Sequence, residues 1–284
     1  MKVVAKIALI GLIVGFVGLL ISVLVSGSSL VENYVGEIST VQDQKEYDAE
    51  LVDEIYIDVS VAEVNILPTD EDEVKVNYNG RFSQAFMQQT DLGIELKNNE
   101  LHLNVNTDNP IMFLPTFGGQ HIELDLYLPK KAYHVLSIDS SAGKTHVESA
   151  VVSEVEIVSS AGKITLEDIE SERTNIRSSA GMVEVNYLTG DLDIRTSAGE
   201  IVTTLEQIEQ DISFNATAGA INLYVHNEPT NISLDFQATA GEGSVGFPMN
   251  YEVNSNREIK GTIGEGLYNI TVRASAGSFD FAYR

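Results

Sequence analysis

The residues able to do acid–base, metal or nucleophilic chemistry in this 284-residue chain are five histidines, 42 carboxylates and a recurrent serine; there is no cysteine. His102, His121, His134, His146 and His226 form neither HxH nor HExxH, so the spacing that brings two imidazoles to one zinc ion is missing. His102 and His146 alternate with apolar neighbours, which places them on the outer faces of strands. Without Cys there is no thiolate zinc site, thiol nucleophile, disulfide or lipid-modified thiol. The chain has no G-x-S-x-G elbow, phosphate loop or dinucleotide fingerprint. Glycosidase chemistry needs two carboxylates facing each other across a cleft, and nothing singles out a pair among so many. The densest acidic run, Asp70-Glu71-Asp72-Glu73, offers the hard oxygens calcium takes. It lacks a glycine-rich calcium loop and EF-hand spacing, so a solvated turn is expected. No cofactor is expected, with calcium at this run as the alternative.

The recurrent serine belongs to a tripeptide, Ser-Ala-Gly or Thr-Ala-Gly, that occurs seven times. Its glycines are Gly143, Gly162, Gly181, Gly199, Gly219, Gly241 and Gly277, at steps of 19, 19, 18, 20, 22 and 36 residues. A catalytic serine would be a single exception; this one is a column. A period near 20 residues marks a solenoid, in which one short unit stacks on the next.

The repeat columns say what each position does. Five places before the glycine stand Ile138, Ile157, Ile176, Ile194, Phe214, Phe236 and Val272; two places after it stand Thr145, Ile164, Val183, Ile201, Ile221, Gly243 and Phe279. Further columns at minus seven and plus four are also apolar. This spacing of two on each side predicts strands with one buried face. The seven glycines are expected as structural turns, where a β-carbon would be penalised. The hydroxyls two places before them (Ser141, Ser160, Ser179, Ser197, Thr217, Thr239 and Ser275) are expected to form a hydrogen-bonding ladder. An eighth, altered copy runs from Ile55 to Ala62, aligned with Leu136 to Gly143. Ile259 to Gly264 reads as a degenerate copy filling the 36-residue step. Upstream, Val74–Tyr78, Leu92–Leu96, Leu101–Val105 and Ile122–Leu128 alternate as strands, and Asn98-Asn99 suits a hairpin turn. The fold class expected is all-β: a parallel β-solenoid of about 20-residue repeats, with an antiparallel array of hairpins as the rival.

The formal charge is −25. That excludes nucleic acid, whose phosphates need clustered Lys and Arg. A polysaccharide-acting β-helix enzyme needs cations to hold an anionic sugar, and here these are spread thinly. The first 27 residues carry only Lys2 and Lys6 as charges. Ile7 to Val25 is an apolar stretch of 19 residues, about 29 Å as a helix, the thickness of a bilayer's hydrocarbon core. It exceeds the apolar region of about 7–15 residues in a cleaved signal peptide, so a retained anchor is expected. The flanking charges put the N-terminus in the cytoplasm and the rest outside the cell membrane. The organisation expected is an anchor over 1–27, a juxtamembrane linker over 28–53 and an extracytoplasmic repeat domain over 54–284.

Three features resemble a known family: the strand Ile122 to Leu128 closed by Pro129, the segment Leu136 to Val147 containing Asp139-Ser140-Ser141-Ala142-Gly143, and the run of Ser-Ala-Gly repeats that follows. Together they are similar to the bacterial "putative adhesin" β-strand-repeat family, a domain of unknown function that includes LiaG-like membrane-anchored envelope proteins. The resemblance implies an extracytoplasmic β-solenoid, no described catalysis and no site residues. A non-enzymatic envelope protein is therefore expected, with an adhesion-like, scaffolding or envelope-stress signalling role through protein contacts. The alternatives are a module binding wall or surface glycans through divalent cations and, after it, an end-to-end homo-oligomer. The segment Pro110 to Gly119 carries Ile111, Met112, Phe113, Leu114 and Phe117 between and after two prolines. Proline breaks a central strand, so this is a loop: either a cap over the open core or a contact loop for a partner or membrane.

Overall fold

The structure, a computed structural model, describes residues 38–83, 90–107 and 121–284. The expected anchor at 7–25 and the apolar loop at 110–119 lie outside the described residues. Among those described, no helix is long and apolar enough to cross a membrane.

The described chain is all-β apart from one 3-10 turn at Ala49–Leu51. The strands are β1 (Ile38–Asp48), β2 (Glu54–Thr69), β3 (Glu73–Ser83), β4 (Thr90–Lys97), β5 (Glu100–Thr107), β6 (His121–Pro129) and β7 (Ala132–Glu148). They continue as β8 (Val151–Leu205), β9 (Ile212–Val225), β10 (Ile232–Val245), β11 (Asn250–Asn254), β12 (Glu258–Ile263) and β13 (Tyr268–Tyr283). β8 runs for 55 residues and passes three glycine corners, Gly162, Gly181 and Gly199. Each corner with its two flanking strand segments is one rung.

Rungs pair in parallel and in glycine register. Ala62 stands opposite Gly143, Gly143 opposite Gly162, Gly199 opposite Gly219, Gly219 opposite Gly277, and Gly277 opposite Gly241. Adjacent rungs at about 4.8 Å turn each alternating column into a continuous inner ladder. The minus-five column is fully inside, from Ile138 to Phe236 and Val272, and so are Ile164, Val183, Ile201, Ile221 and Phe279 in the plus-two column. At the far end Phe236 stacks on Phe279 with centroids 5.2 Å apart, and Phe247 meets Phe281 edge-on at 4.9 Å. These rings close the core beneath β10.

The corners explain the glycines by contact as well as by torsion. Gly162 has φ of +138°, and a Cβ there would stand 1.9 Å from the carbonyl oxygen of Gly143. Every repeat glycine from Gly143 to Gly277 meets the rung beneath it in this way. The upstream copy carries Ala62 for a physical reason. On its far side β2 pairs with β5 only through Val59 and with β6 only from Glu63. Among the described residues no strand pairs with residues 60–62 on that side, and the Ser60 hydroxyl donates to Asn106 Oδ1 at 3.1 Å.

Both ends of the stack finish in antiparallel pairs. At one end β5 is covered by β4 through Asn98-Asn99, whose φ values of 54° and 68° make a type I′ hairpin. On the other face of the same rung, β3 and then β1 cover β6. At the opposite end β12 and β11 cover β10.

Several expectations need correction. Ile259 to Gly264 is not a degenerate rung, because β12 runs antiparallel to β10 with Ile232 opposite Ile263. The 36-residue step exists because β13 turns back and inserts between β9 and β10. The expected hydroxyl column does not lie inside the stack: Ser141, Ser160, Ser179, Ser197, Thr217, Thr239 and Ser275 project to solvent. The buried hydroxyls are Ser140, Ser159, Ser178 and Thr196, one position earlier. Finally, part of the segment read as a linker is folded. β1 pairs with β3 along its whole length, and Val52 is fully buried.

Candidate functional site

Because inward positions alternate with outward ones, the rungs present two outer faces, one before the glycine corner and one after it. The first face carries four of the chain's seven arginines: Arg173 and Arg177 on one rung, Arg195 on the next, and Arg273 two rungs beyond, with Asn215 between. Three of them are paired. Arg177 binds Glu156, Arg195 binds Asp193 bidentately at 2.8 and 3.1 Å, and Arg273 binds Asp235 at 2.8 Å. Exposed pairs of this kind contribute only a few tenths of a kcal/mol to about 1 kcal/mol each. Their effect is to cancel charge locally on a strongly acidic molecule.

Toward the β4 end of this face, Tyr56 and His102 stack with centroids 5.0 Å apart. Tyr56 donates its hydroxyl to Glu54, and that bond holds the phenol pKa up to about 12. His102 contacts Glu100 at 3.0 Å. One rung column further, Asp139 stands in register with Asp58. Partial burial, and then the Asp58 charge, push the Asp139 carboxyl above its ordinary value. His102 and His146 do lie on outer faces, as the alternation predicts.

The second face holds a shallow cleft of about 340 Å³. Its walls come from five rungs. Asp168 and Tyr187 occupy equivalent turn positions, six places after Gly162 and Gly181, with φ of 54° and 55°; Ser149 shares the column at 51°. Ser and Asp suit a left-handed turn residue, but a bulky ring there is an outlier. Tyr187 is nonetheless 45% exposed. The ring stacks on His226 at 5.8 Å, and its hydroxyl lies 3.1 Å from His226 Nε2.

The opposite wall is Arg284, which donates to Thr204 Oγ1 at 2.7 Å and lies over the Tyr224 ring. The floor is Glu184 and Asn186, bonded to each other at 3.4 Å. Lys163 donates to Glu184 at 2.8 Å and holds its carboxyl below the usual range. Backbone bonds from His226 to Leu205 and from Arg284 to Val225 tie both walls to the rung edges.

The residues singled out in the sequence fall in three places. The glycine corners Gly143, Gly162, Gly181, Gly199, Gly219, Gly241 and Gly277 form one ladder and carry no chemistry. The candidate contact residues Ile111, Met112, Phe113, Leu114 and Phe117 lie outside the described residues. Asp70 and Glu71 sit in the tight turn from β2 to β3, bound at 2.9 Å by Lys130 and Lys75 respectively. Among the described residues no three carboxylates or imidazoles converge as metal ligands do. Sequence reasoning missed Tyr187, Glu184 and Arg284, and gave His226 no role. No sequence signal marked Tyr187, because the column six places after the glycine also holds Leu205, Val225, Phe247 and Tyr283.

A family model described as Toastrack DUF4097 matches residues 52–281. Among solved structures, the chain is similar to a "putative cell adhesion protein" from Clostridium sporogenes, with 14% identity, 87% of this chain and 100% of that one covered, and a TM-score of 0.43. It is similar also to a "putative adhesin" from Bacteroides fragilis, with 11% identity, 87% and 98% covered, and a TM-score of 0.40. A third is a "putative lipid binding protein" from Parabacteroides distasonis, with 14% identity, 84% and 96% covered, and a TM-score of 0.41. No curated protein matches the chain.

Proposed function

The chain belongs to the Toastrack DUF4097 family, and on that premise we propose a parallel β-solenoid that acts by surface contact rather than by catalysis. In this reading Ile7 to Val25 anchors it in the cell membrane, and the rungs stand outside, on the cell surface. The role is adhesion-like, scaffolding or envelope-stress signalling, through an envelope protein or a wall or surface glycan.

One observation carries the reading. Polar groups on the outer faces are spent in ladders between rungs rather than gathered round a reacting centre. Arg177–Glu156, Arg273–Asp235, Asn65–Asp125 and Asn222–Glu200 all join different rungs. Such ladders stiffen a broad surface, and the groups in them are engaged with one another rather than poised for general acid–base work.

Photo-crosslinking in intact cells tests this. A benzophenone residue is placed at Asn215 on an outer face, at Phe113 in the apolar loop and at buried Ile157. The reading expects one recurrent envelope component captured from Asn215 or Phe113 and nothing from Ile157. Capture from none of the three, with the protein folded and expressed, would overturn it. Phe113→Ser with Phe117→Ser then separates the two loop readings. A cap variant loses its cooperative melt, whereas a contact variant keeps the melt and loses the partner.

A further inference from the structure

We propose that the Tyr187–His226 cleft is a binding site for a neutral, β-linked pyranose chain. The proposal deepens the reading of a contact-acting envelope protein by naming one ligand class and its place.

Four features support it. The first is the ring itself. Tyr187 sits at φ of 55° in a column whose other left-handed members are Ser149 and Asp168. A bulky residue held in a disfavoured torsion, with its ring open to water, works against folding. His226 lies near-parallel and offset, with centroids 5.8 Å apart, so with the residue 45% exposed apolar ring surface stays open. The C–H face of an all-equatorial pyranose packs on such a surface as another ring would.

The second feature is the polar set around the ring. Glu184 accepts, Arg284 donates, and Asn186 and Thr204 do both. Sugar hydroxyls donate and accept in equal measure, so this mixture suits them. The groups are also preorganised. Lys163 holds Glu184, Arg284 is held by Thr204, and both walls are pinned by backbone bonds. Little side-chain freedom is left to lose on binding.

The third feature is charge. Glu167, Asp168 and Glu184 line the cleft against Arg284, and Lys163 pairs with Glu184 beside it, so the balance is still negative. An anionic polymer would meet net negative charge there, and a neutral sugar would not. The fourth is size: about 340 Å³ is at the small end of ligand sites, enough for one or two sugar rings rather than a folded partner. The two comparable furrows on the first face lack any aromatic wall.

The test is saturation-transfer NMR on the purified full chain with cellotriose and N,N′,N″-triacetylchitotriose, and polygalacturonate as the anionic control. Both neutral trisaccharides are expected to receive transfer. Tyr187→Phe keeps the ring and retains binding. Tyr187→Asn keeps the left-handed turn, so its Tm is expected to stay level or rise, while transfer is lost and affinity falls about tenfold or more. The proposal is overturned if neither trisaccharide receives transfer from the wild-type chain, if Tyr187→Asn binds as well as wild type, or if polygalacturonate displaces the sugar. None of these results depends on where the protein sits in the cell. Failure of the sugar site and failure of the surface-display reading therefore remain separate.

Discussion

A single methyl group separates the two kinds of corner in this molecule. Gly143 would place a Cβ 1.9 Å from the Ala62 carbonyl oxygen, whereas among the described residues no strand pairs with Ala62 on its far side. Gly143→Ala is therefore expected to destabilise by more than about 2 kcal/mol, because torsion and contact add. Ala62→Gly should cost only about 0.5–1 kcal/mol of backbone entropy. Urea unfolding followed by circular dichroism measures both, and equal losses would refute the contact explanation.

Buried hydroxyls offer a test of opposite sign. Thr203 is fully buried, and its Oγ1 finds no partner among the described residues. Thr203→Val keeps the shape and removes a desolvated polar group, so it should stabilise by about 1 kcal/mol. The Asp139 carboxyl is raised by partial burial and by Asp58. A carboxyl raised in the folded state costs stability once it is ionised, and that cost is relieved as pH falls through its folded pKa. Asp139→Asn should therefore raise Tm at neutral pH, with the gain shrinking toward acid. Glu184 has the reverse sign: Lys163 lowers its pKa, and the stability it adds at neutral pH is lost on acidification.

At the scale of elements, β13 is the least expected piece. It lies between β9 and β10, although β10 precedes it in the chain. The repeat columns were readable because alternation and the glycine corners impose the same demand on every rung. That sameness hides the stacking order. Ile212, Ile270 and Leu234 are interchangeable in their column, so nothing local says which rung neighbours which. β1 was hidden for another reason. It is an edge strand whose backbone pairs with β3 while most of its side chains face water, so it has no apolar period. The cleft was hidden by distance, since Tyr187 and His226 are 39 residues apart and meet only through stacking.

The chain has no cysteine, so introduced pairs report the order cleanly. Asn215 stands opposite Arg273 in register, within the Cα separation of about 4.4–6.8 Å that a disulfide spans. Asn215→Cys with Arg273→Cys should oxidise to an intramolecular bond. Asn215→Cys with Gln237→Cys, which joins consecutive repeats, should not. The reverse result would place β10 directly on β9.

At the scale of the whole molecule, a net charge of −25 leaves the folded state under self-repulsion that arginine ladders relieve only in part. Tm should rise as salt is increased from about 10 mM to several hundred millimolar, because screening shortens the reach of that repulsion to about 10 Å or less. The same charge keeps the molecule from polyanions and directs attention to local neutral sites such as the Tyr187 cleft. On the proposed reading the repeats act as a rigid frame, and recognition belongs to what the frame holds outward.

That account rests on the rungs standing outside the membrane. Its most direct test is labelling of intact cells with a membrane-impermeant maleimide, using single cysteines in the otherwise cysteine-free full chain. Asn215→Cys on an outer face should label in intact cells, and Lys2→Cys only after permeabilisation. Labelling of Lys2→Cys in intact cells, with Asn215→Cys protected until the membrane is opened, would contradict it.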